Sequence, residues 1–117
     1  MNQTALKSEI ARYERRTAPR KAMRRRITLA LSNGTILRGE TIDISTGGMR
    51  VAIQDSLNVP LDCTFDLTVL IEGRLLSLCG SGKITSCVCR GMLGFSVGVQ
   101  FTQLDASAKA LTAQMVA

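Results

Sequence analysis

The sequence predicts an all-β domain with a minor α component: a six-stranded antiparallel barrel, preceded by an arginine-rich arm and followed by a C-terminal helix. After residue 26, apolar residues alternate with polar ones in six short stretches, which is the pattern of half-buried strands. Short turn sequences separate these stretches and leave no room for crossover helices, so the strands are expected to be antiparallel. At 117 residues the chain is one domain, and closing the sheet into a barrel removes its exposed edges.

The N-terminal segment, residues 1–26, differs from the rest in charge. Residues 12–26 contain eight basic residues and one acid, a net +7 in a chain of total charge +6. A weak apolar stripe predicts a short helix over residues 2–14. Pro19 disfavours a helix through Arg16 and Arg20, so we expect a looped or extended arm. Arginine binds phosphate bidentately and stacks on flat rings, and the arm therefore indicates a ligand with phosphate and a planar base.

The six predicted strands cover residues 27–32, 35–43, 49–54, 65–71, 74–89 and 97–101. Asn33-Gly34 is a strong hairpin signal between the first two strands, because both residues accept positive φ. Residues 55–62, which include a proline, are expected to form a loop. The body of the domain is thus predicted to be residues 27–117.

The later part of the chain adds a bend and a helix. Gly80 and Gly82 fall inside the long fifth strand and predict a bulge or a barrel bend there. Leu104, Ala108, Leu111 and Met115 are spaced for one face of an amphipathic helix. We expect that helix to cover one open end or one face of the barrel.

Composition excludes several kinds of protein. The chain has no histidine and no pairing of a nucleophile with a base, so an enzyme is not expected. No apolar run is long enough to span a bilayer, and the first residues lack the apolar stretch of a signal peptide; we therefore expect a cytoplasmic protein without membrane insertion. The cysteines are expected to be reduced, buried or half-buried strand residues, with no metal bound; they are Cys63, Cys79, Cys87 and Cys89.

A second motif, Asp43-Ile-Ser-Thr-Gly-Gly48, lies between the second and third predicted strands. Asp43 and Ser45 are two residues apart and share a strand face. A carboxylate accepts hydrogen bonds from a guanine edge, and a hydroxyl with free backbone N–H groups holds a phosphate. Gly47 and Gly48 allow a tight turn and close approach of a ligand to the backbone. Taken alone, the motif also fits an ordinary Gly-Gly turn.

Together, the arm and this motif resemble the PilZ domain, a bacterial receptor for the second messenger cyclic di-GMP. That family has Arg-x-x-x-Arg before the first barrel strand, here Arg16 to Arg20, and Asp/Asn-x-Ser-x-x-Gly between the second and third, here Asp43 to Gly48. Gly98-Val-Gln-Phe101 resembles a signature of the last strand. The resemblance covers about residues 14–115. Residues 20–24 also satisfy the arginine pattern, but this alternative leaves too short a linker to Ile27.

The resemblance implies a set of ligand-binding residues for cyclic di-GMP, which are Arg15, Arg16, Arg20, Asp43, Ser45, Gly47 and Gly48. Arg15 occupies the position where family members with an arginine tend to bind two stacked ligand molecules. The resemblance also implies an adaptor that changes its arm conformation and acts, through an unidentified effector protein, on motility, exopolysaccharide or pilus machinery. No cofactor other than the ligand is expected.

Two other functions remain open. A small barrel with an arginine-rich arm fits a nucleic-acid-binding protein, although the scarcity of aromatic residues for stacking on bases makes nucleic acid an unfavoured partner. The chain also fits a PilZ-like interaction module that does not bind ligand, although both motifs are complete here.

Overall fold

The computed structural model describes residues 19–117, so the predicted helix at 2–14 lies outside the described residues. The elements, in chain order, are β1 (Lys21–Ala22), β2 (Arg26–Leu31), β3 (Ile36–Ile44), β4 (Gly48–Ile53), β5 (Leu61–Ile71), β6 (Arg74–Cys89), a 3-10 turn (Gly91–Leu93), β7 (Phe95–Gln103) and α1 (Ala106–Val116).

Strands β2 to β7 form a closed antiparallel barrel, as the sequence predicted. They neighbour one another in the order β3, β2, β5, β6, β7, β4, and pairing of β4 with β3 closes the circle. The two-residue strand β1 was not predicted. It pairs with the end of β3, where Lys21 lies opposite Ile44 and Ala22 opposite Asp43. The last residues of the arm therefore join the sheet.

The period-two pattern of the strands places one face of each in a single core. In β2, for example, Ile27, Leu29 and Leu31 are buried, while Thr28 is exposed. Gly39 of β3 lies where the barrel closes on β4, because a Cβ atom at this position would be 2.5 Å from the carbonyl oxygen of Ala52. A side chain there would push the closing strands apart.

The predicted irregularity in the long fifth strand is present in β6. Its pairing with β7 shifts register between Ser81 and Gly82. A Cβ atom on Gly82 would lie 2.7 Å from the side chain of Val99, so the strands approach too closely for a side chain. The glycine thus permits a bend without interrupting the strand.

The loop predicted over residues 55–62 is shorter than expected. Strand β5 already begins at Leu61, because β6 is long enough to pair with it there, and Leu61 lies opposite Ile84. Proline and polar residues indicated the loop, but they carry no information about the length of the partner strand.

The C-terminal helix α1 is confirmed and begins at Ala106. Asp105 caps it, since the backbone N–H of Ala108 donates to its carboxylate at 2.7 Å, as expected for an N-cap acid. Ala108, Leu111 and Met115 are buried in the same core as the strands. Leu104, predicted as the first residue of the stripe, precedes the helix and is half-buried.

The cysteines differ in part from the prediction. Cys63 is buried and Cys87 half-buried, but Cys79 and Cys89 are exposed. Cys79 follows the fully buried Leu78 in β6 and so points outward. All four are free thiols, and burial raises the pKa of the Cys63 thiol, helped by the charge of Asp62.

Candidate ligand-binding cleft

The root of the arm is fixed to β3 by backbone and side-chain hydrogen bonds. The N–H of Met23 donates to the carbonyl of Ile42 at 3.0 Å. The hydroxyl of Thr41, which is buried, accepts from the N–H of Arg25 at 2.8 Å and donates to the carbonyl of Met23 at 2.6 Å. Together with β1, these contacts set the position of Arg20, the residue just before β1.

Asp43 lies beneath two arginines. Its Oδ1 accepts from Nη1 of Arg20 at 2.9 Å, and its Oδ2 accepts from Nε of Arg50 at 2.7 Å and also from Nη2 of Arg50. The Asp43 side chain is only 9% exposed, whereas those of Arg20 and Arg50 are 46% and 53% exposed. The acid is thus covered, and the surface above it presents two guanidinium groups.

The charges in this cluster hold Asp43 ionised. Burial raises the pKa of its carboxyl group, but the hydrogen bonds and charge of Arg50, followed by those of Arg20, outweigh burial and bring the pKa below its ordinary value of 3.8. The same contact raises the pKa of Arg50. At neutral pH the cluster therefore carries two positive charges and one negative charge.

This lowered pKa predicts an acid-sensitive contribution to stability. An ionised Asp43 stabilises the fold fully above the pKa of an unfolded aspartate, about 3.9, and the contribution is lost as pH falls through the lower folded-state value. We expect the difference in unfolding free energy between wild type and Asp43→Asn, measured by urea titration, to stay constant above about pH 4 and to shrink below it. A difference that grows on acidification would contradict the assignment.

Ser45 organises the loop between β3 and β4. Its N–H donates to the carbonyl of Gly48 at 2.8 Å, and its hydroxyl accepts from the N–H of Gly47 at 3.3 Å. The carbonyl of Gly47 accepts from the N–H of Phe101 at 2.9 Å, which ties the loop to β7. Ser45 is buried, and its hydroxyl is engaged in a hydrogen bond within the loop.

The two glycines of the loop have different surroundings. Gly48 is buried, and a Cβ atom on it would collide with the carbonyl oxygen of Val99 in β7. Gly47 is exposed, and a Cβ atom there would meet no atom within 4 Å. Close packing of β4 against β7 thus explains the glycine at position 48, a reason that the sequence did not reveal. The backbone at Gly47 is accessible.

These residues border an open cleft of about 700 Å³ on the barrel wall, which we call the Arg20–Arg50 cleft. Its floor crosses three strands, with Arg50 of β4 opposite Gly98 of β7 and Gly98 opposite Ser86 of β6. Because Gly98 and Ser86 are small, a flat group can approach the sheet closely beside the guanidinium of Arg50.

Four of the predicted site residues line the cleft, and these are Arg20, Ser45, Gly47 and Gly48. A fifth, Asp43, lies beneath Arg20 and contacts it. Arg15 and Arg16 lie outside the described residues. Arg50 was not predicted as a site residue, although the hairpin contained the signal: a turn at Thr46–Gly47 places residues 43 and 50 opposite each other, as observed. A carboxylate and an arginine opposite each other on one face form an ion pair.

Two further properties concern only the part of the chain that the structure describes. In residues 19–117, no three acidic or cysteine side chains are grouped so as to hold a metal ion. No helix in that range is long and apolar enough to cross a membrane.

The fold and the Arg20–Arg50 cleft define a small closed-barrel domain with a cationic cleft on its wall. Three of the solved structures that share this fold are compared with the chain. The inhibitor of motility MotI/DgrA of Bacillus subtilis has a TM-score of 0.73 at 13% identity, with 87% of this chain and 49% of that chain covered. The PilZ domain of YcgR from Escherichia coli, determined with c-di-GMP, has a TM-score of 0.64 at 13% identity over 87% of this chain and 88% of that one. The PilZ domain of CeSA from a cellulose-synthesizing bacterium has a TM-score of 0.56 at 19% identity, with 83% of this chain and 93% of that chain covered.

The family of the chain follows from its sequence. The sequence model of the PilZ domain matches residues 14–117, and the chain belongs to the PilZ domain family. No curated protein sequence matches it. The chain spans about half the length of MotI/DgrA, so the properties of that whole protein do not transfer directly.

Proposed function

We propose that this chain is a receptor for cyclic di-GMP. The observation that carries the proposal is the Arg20–Arg50 cleft, in which two half-exposed guanidinium groups lie over an ionised Asp43 on a PilZ barrel. Phosphates of the ligand suit the guanidinium forks, and a guanine ring suits their flat faces. The YcgR domain of the same fold was determined with this ligand.

In this proposal the ligand is held between the arm and the loop, by Arg15, Arg16, Arg20, Asp43, Ser45, Gly47 and Gly48. Arg20 belongs to both candidate arm motifs and lies in the cleft beside Asp43, so the position of Arg24 distinguishes Arg16/Arg20 from Arg20/Arg24. Arg24 instead contacts Glu40, with 3.2 Å between Nε and Oε1, and does not line this cleft. Arg16, which precedes Arg20 by four residues, is the proposed second arginine of the motif.

We propose that the chain transmits its signal by binding another protein and catalyses no reaction. Binding of the ligand rearranges the arm before Arg20 and so changes the surface offered to an effector protein. The effector is proposed to belong to motility, exopolysaccharide or pilus machinery, and the likeness to a motility inhibitor favours the first of these. The cytoplasm is the proposed location.

Calorimetric titration with cyclic di-GMP tests the proposal directly. We expect saturable binding that excess GTP and a short oligonucleotide do not displace, at both low and high salt. Absence of heat with cyclic di-GMP, in a sample whose folding is verified by circular dichroism, would favour the interaction module that does not bind ligand. Salt-sensitive binding of the oligonucleotide alone would favour nucleic acid.

Arg15 is expected to control how many ligand molecules bind. If Arg15 supports a second, stacked molecule, wild type binds two per protomer and Arg15→Ala binds closer to one. The stoichiometry from the same titration measures this directly. Lys21→Ala, a loss of one positive charge in the same arm, is the matched control and should leave the ratio unchanged. An unaltered ratio in Arg15→Ala would count against the stacked pair.

A nucleic-acid function is less well supported. Single-strand binding uses exposed aromatic rings, and among residues 19–117 Phe65 is buried while Phe95 and Phe101 are half-buried. Phe65 and Phe101 also pack against each other, with 5.3 Å between ring centroids. The described part of the barrel thus offers little for bases to stack on.

A further inference from the structure

A second and larger cleft, of about 1210 Å³, lies on another part of the barrel wall and shares no lining residue with the Arg20–Arg50 cleft. We call it the arginine cleft. Its cationic residues are Arg24, Arg25, Arg26 and Arg38. The first three run from the anchored part of the arm into the first residue of β2, and the fourth comes from β3.

Strand pairing brings these charges together. Arg26 lies opposite Glu40, and Arg38 lies opposite Thr28, which itself lies opposite Asp66. The cleft therefore contains four arginines and two acids among its described lining residues. It has an excess of positive charge but is not uniformly positive.

The arginines are largely available to a partner. The contact of Arg24 with Glu40 joins two exposed side chains, and such pairs contribute little and exchange readily. Within residues 19–117, no carboxylate lies within 4.0 Å of the guanidinium groups of Arg25, Arg26 or Arg38. Carboxylates brought by another molecule can take these positions.

An open strand edge adjoins the arginine cleft. Pairing of β3 with β4 begins at Glu40, so the preceding part of β3 has only β2 as a strand partner among the described residues. An unpaired edge offers backbone N–H and C=O groups to an added extended chain. Ile36, on the same stretch, is 65% exposed and gives an apolar contact beside that edge.

These features favour a peptide over a nucleic acid. No aromatic side chain is among the described residues that line the cleft, so there is no platform for base stacking. Glu40 and Asp66 would repel a continuous run of phosphates, whereas a peptide supplies N–H donors for them as well as carboxylates for the arginines.

We propose that the arginine cleft binds an acidic, extended peptide segment of a partner protein. The arginines pair with its carboxylates, and the open edge of β3 pairs with its backbone. This inference does not depend on cyclic di-GMP binding, because the two clefts are lined by different residues.

The test uses a short fluorescein-labelled peptide of alternating Glu and Ser, followed by fluorescence anisotropy with the ligand-free protein. The triple variant Arg24→Gln/Arg26→Gln/Arg38→Gln keeps the aliphatic stems and removes the charges. We expect it to bind the peptide about tenfold more weakly than wild type, as loss of several exposed ion pairs implies. Thermal unfolding of each variant verifies that the fold is intact.

The matched control removes the same charge elsewhere, as Arg74→Gln/Lys83→Gln/Lys109→Gln. These side chains are exposed and do not line the arginine cleft, so peptide affinity should stay within about twofold of wild type if the site is local. Equal losses in both triple variants would overturn the inference, since net charge alone would then explain binding. Tighter binding of a single-stranded oligonucleotide than of the peptide, lost in the cleft variant, would overturn it in favour of nucleic acid.

Discussion

Replacing Arg20 by Ala is expected to weaken binding of cyclic di-GMP by about one to two orders of magnitude. A hydrogen bond to a charged group contributes about 1.5–3 kcal/mol, and about 1.4 kcal/mol corresponds to a factor of ten. Arg20 holds one oxygen of Asp43 and is half-exposed toward the cleft, so its loss removes the proposed ligand contact while Arg50 still covers the acid. Calorimetric titration of the variant measures the change.

Two controls make this result specific to the side chain. Lys21→Ala removes a neighbouring positive charge that does not line the Arg20–Arg50 cleft and should bind nearly as wild type does. Arg20→Lys keeps the charge but loses the planar fork, so it should recover only part of the affinity. If Arg20→Ala instead unfolded the domain, the residue would be structural and its assignment to the ligand wrong.

The second large effect is expected in stability, from Gly48→Ala. The added Cβ atom would collide with the carbonyl oxygen of Val99 in the neighbouring strand, and backbone atoms cannot move aside as a flexible side chain can. Overpacking of this kind costs about 1–3 kcal/mol, which lowers the melting temperature by several degrees in a domain of this size. Differential scanning calorimetry is the measurement.

Gly47→Ala is the matched control for this effect. Position 47 is exposed, and no atom lies within 4 Å of an added Cβ atom, so its melting temperature should remain that of wild type. If a ligand approaches the backbone at Gly47, the same variant should bind cyclic di-GMP more weakly. Equal melting temperatures for both variants would show that the contact between β4 and β7 relaxes freely.

The sequence allowed most of the barrel to be predicted, because local signals agree with the final packing. Alternation in β2 and the Asn33-Gly34 turn specify a hairpin that needs no distant partner to be recognised. In contrast, Lys21 and Ala22 have no apolar alternation, and they form β1 because the end of β3 offers hydrogen bonds to them. That information resides in the partner strand.

The candidate site could be predicted in part for the same reason. Asp43 and Arg20 are found by motif, but their contact depends on how Thr41 and β1 hold the root of the arm. Arg50 belongs to no motif and becomes visible only when the hairpin register is known. The arginine cleft could not be predicted from the charge of residues 12–26 alone, since Arg38 joins it through strand pairing rather than through sequence proximity.

The attachment of Met23 and Arg25 to Thr41 fixes the chain to β3 shortly after Arg20. Arg16 precedes Arg20 by four residues, so even a fully extended chain keeps the two Cα atoms within about 14 Å of each other. Groups joined at such short range have effective concentrations of about millimolar or more. In the proposed receptor, recruiting Arg16 after a ligand has contacted Arg20 would therefore be an intramolecular step, and the four-residue separation would limit the size of ligand that both arginines could hold at once.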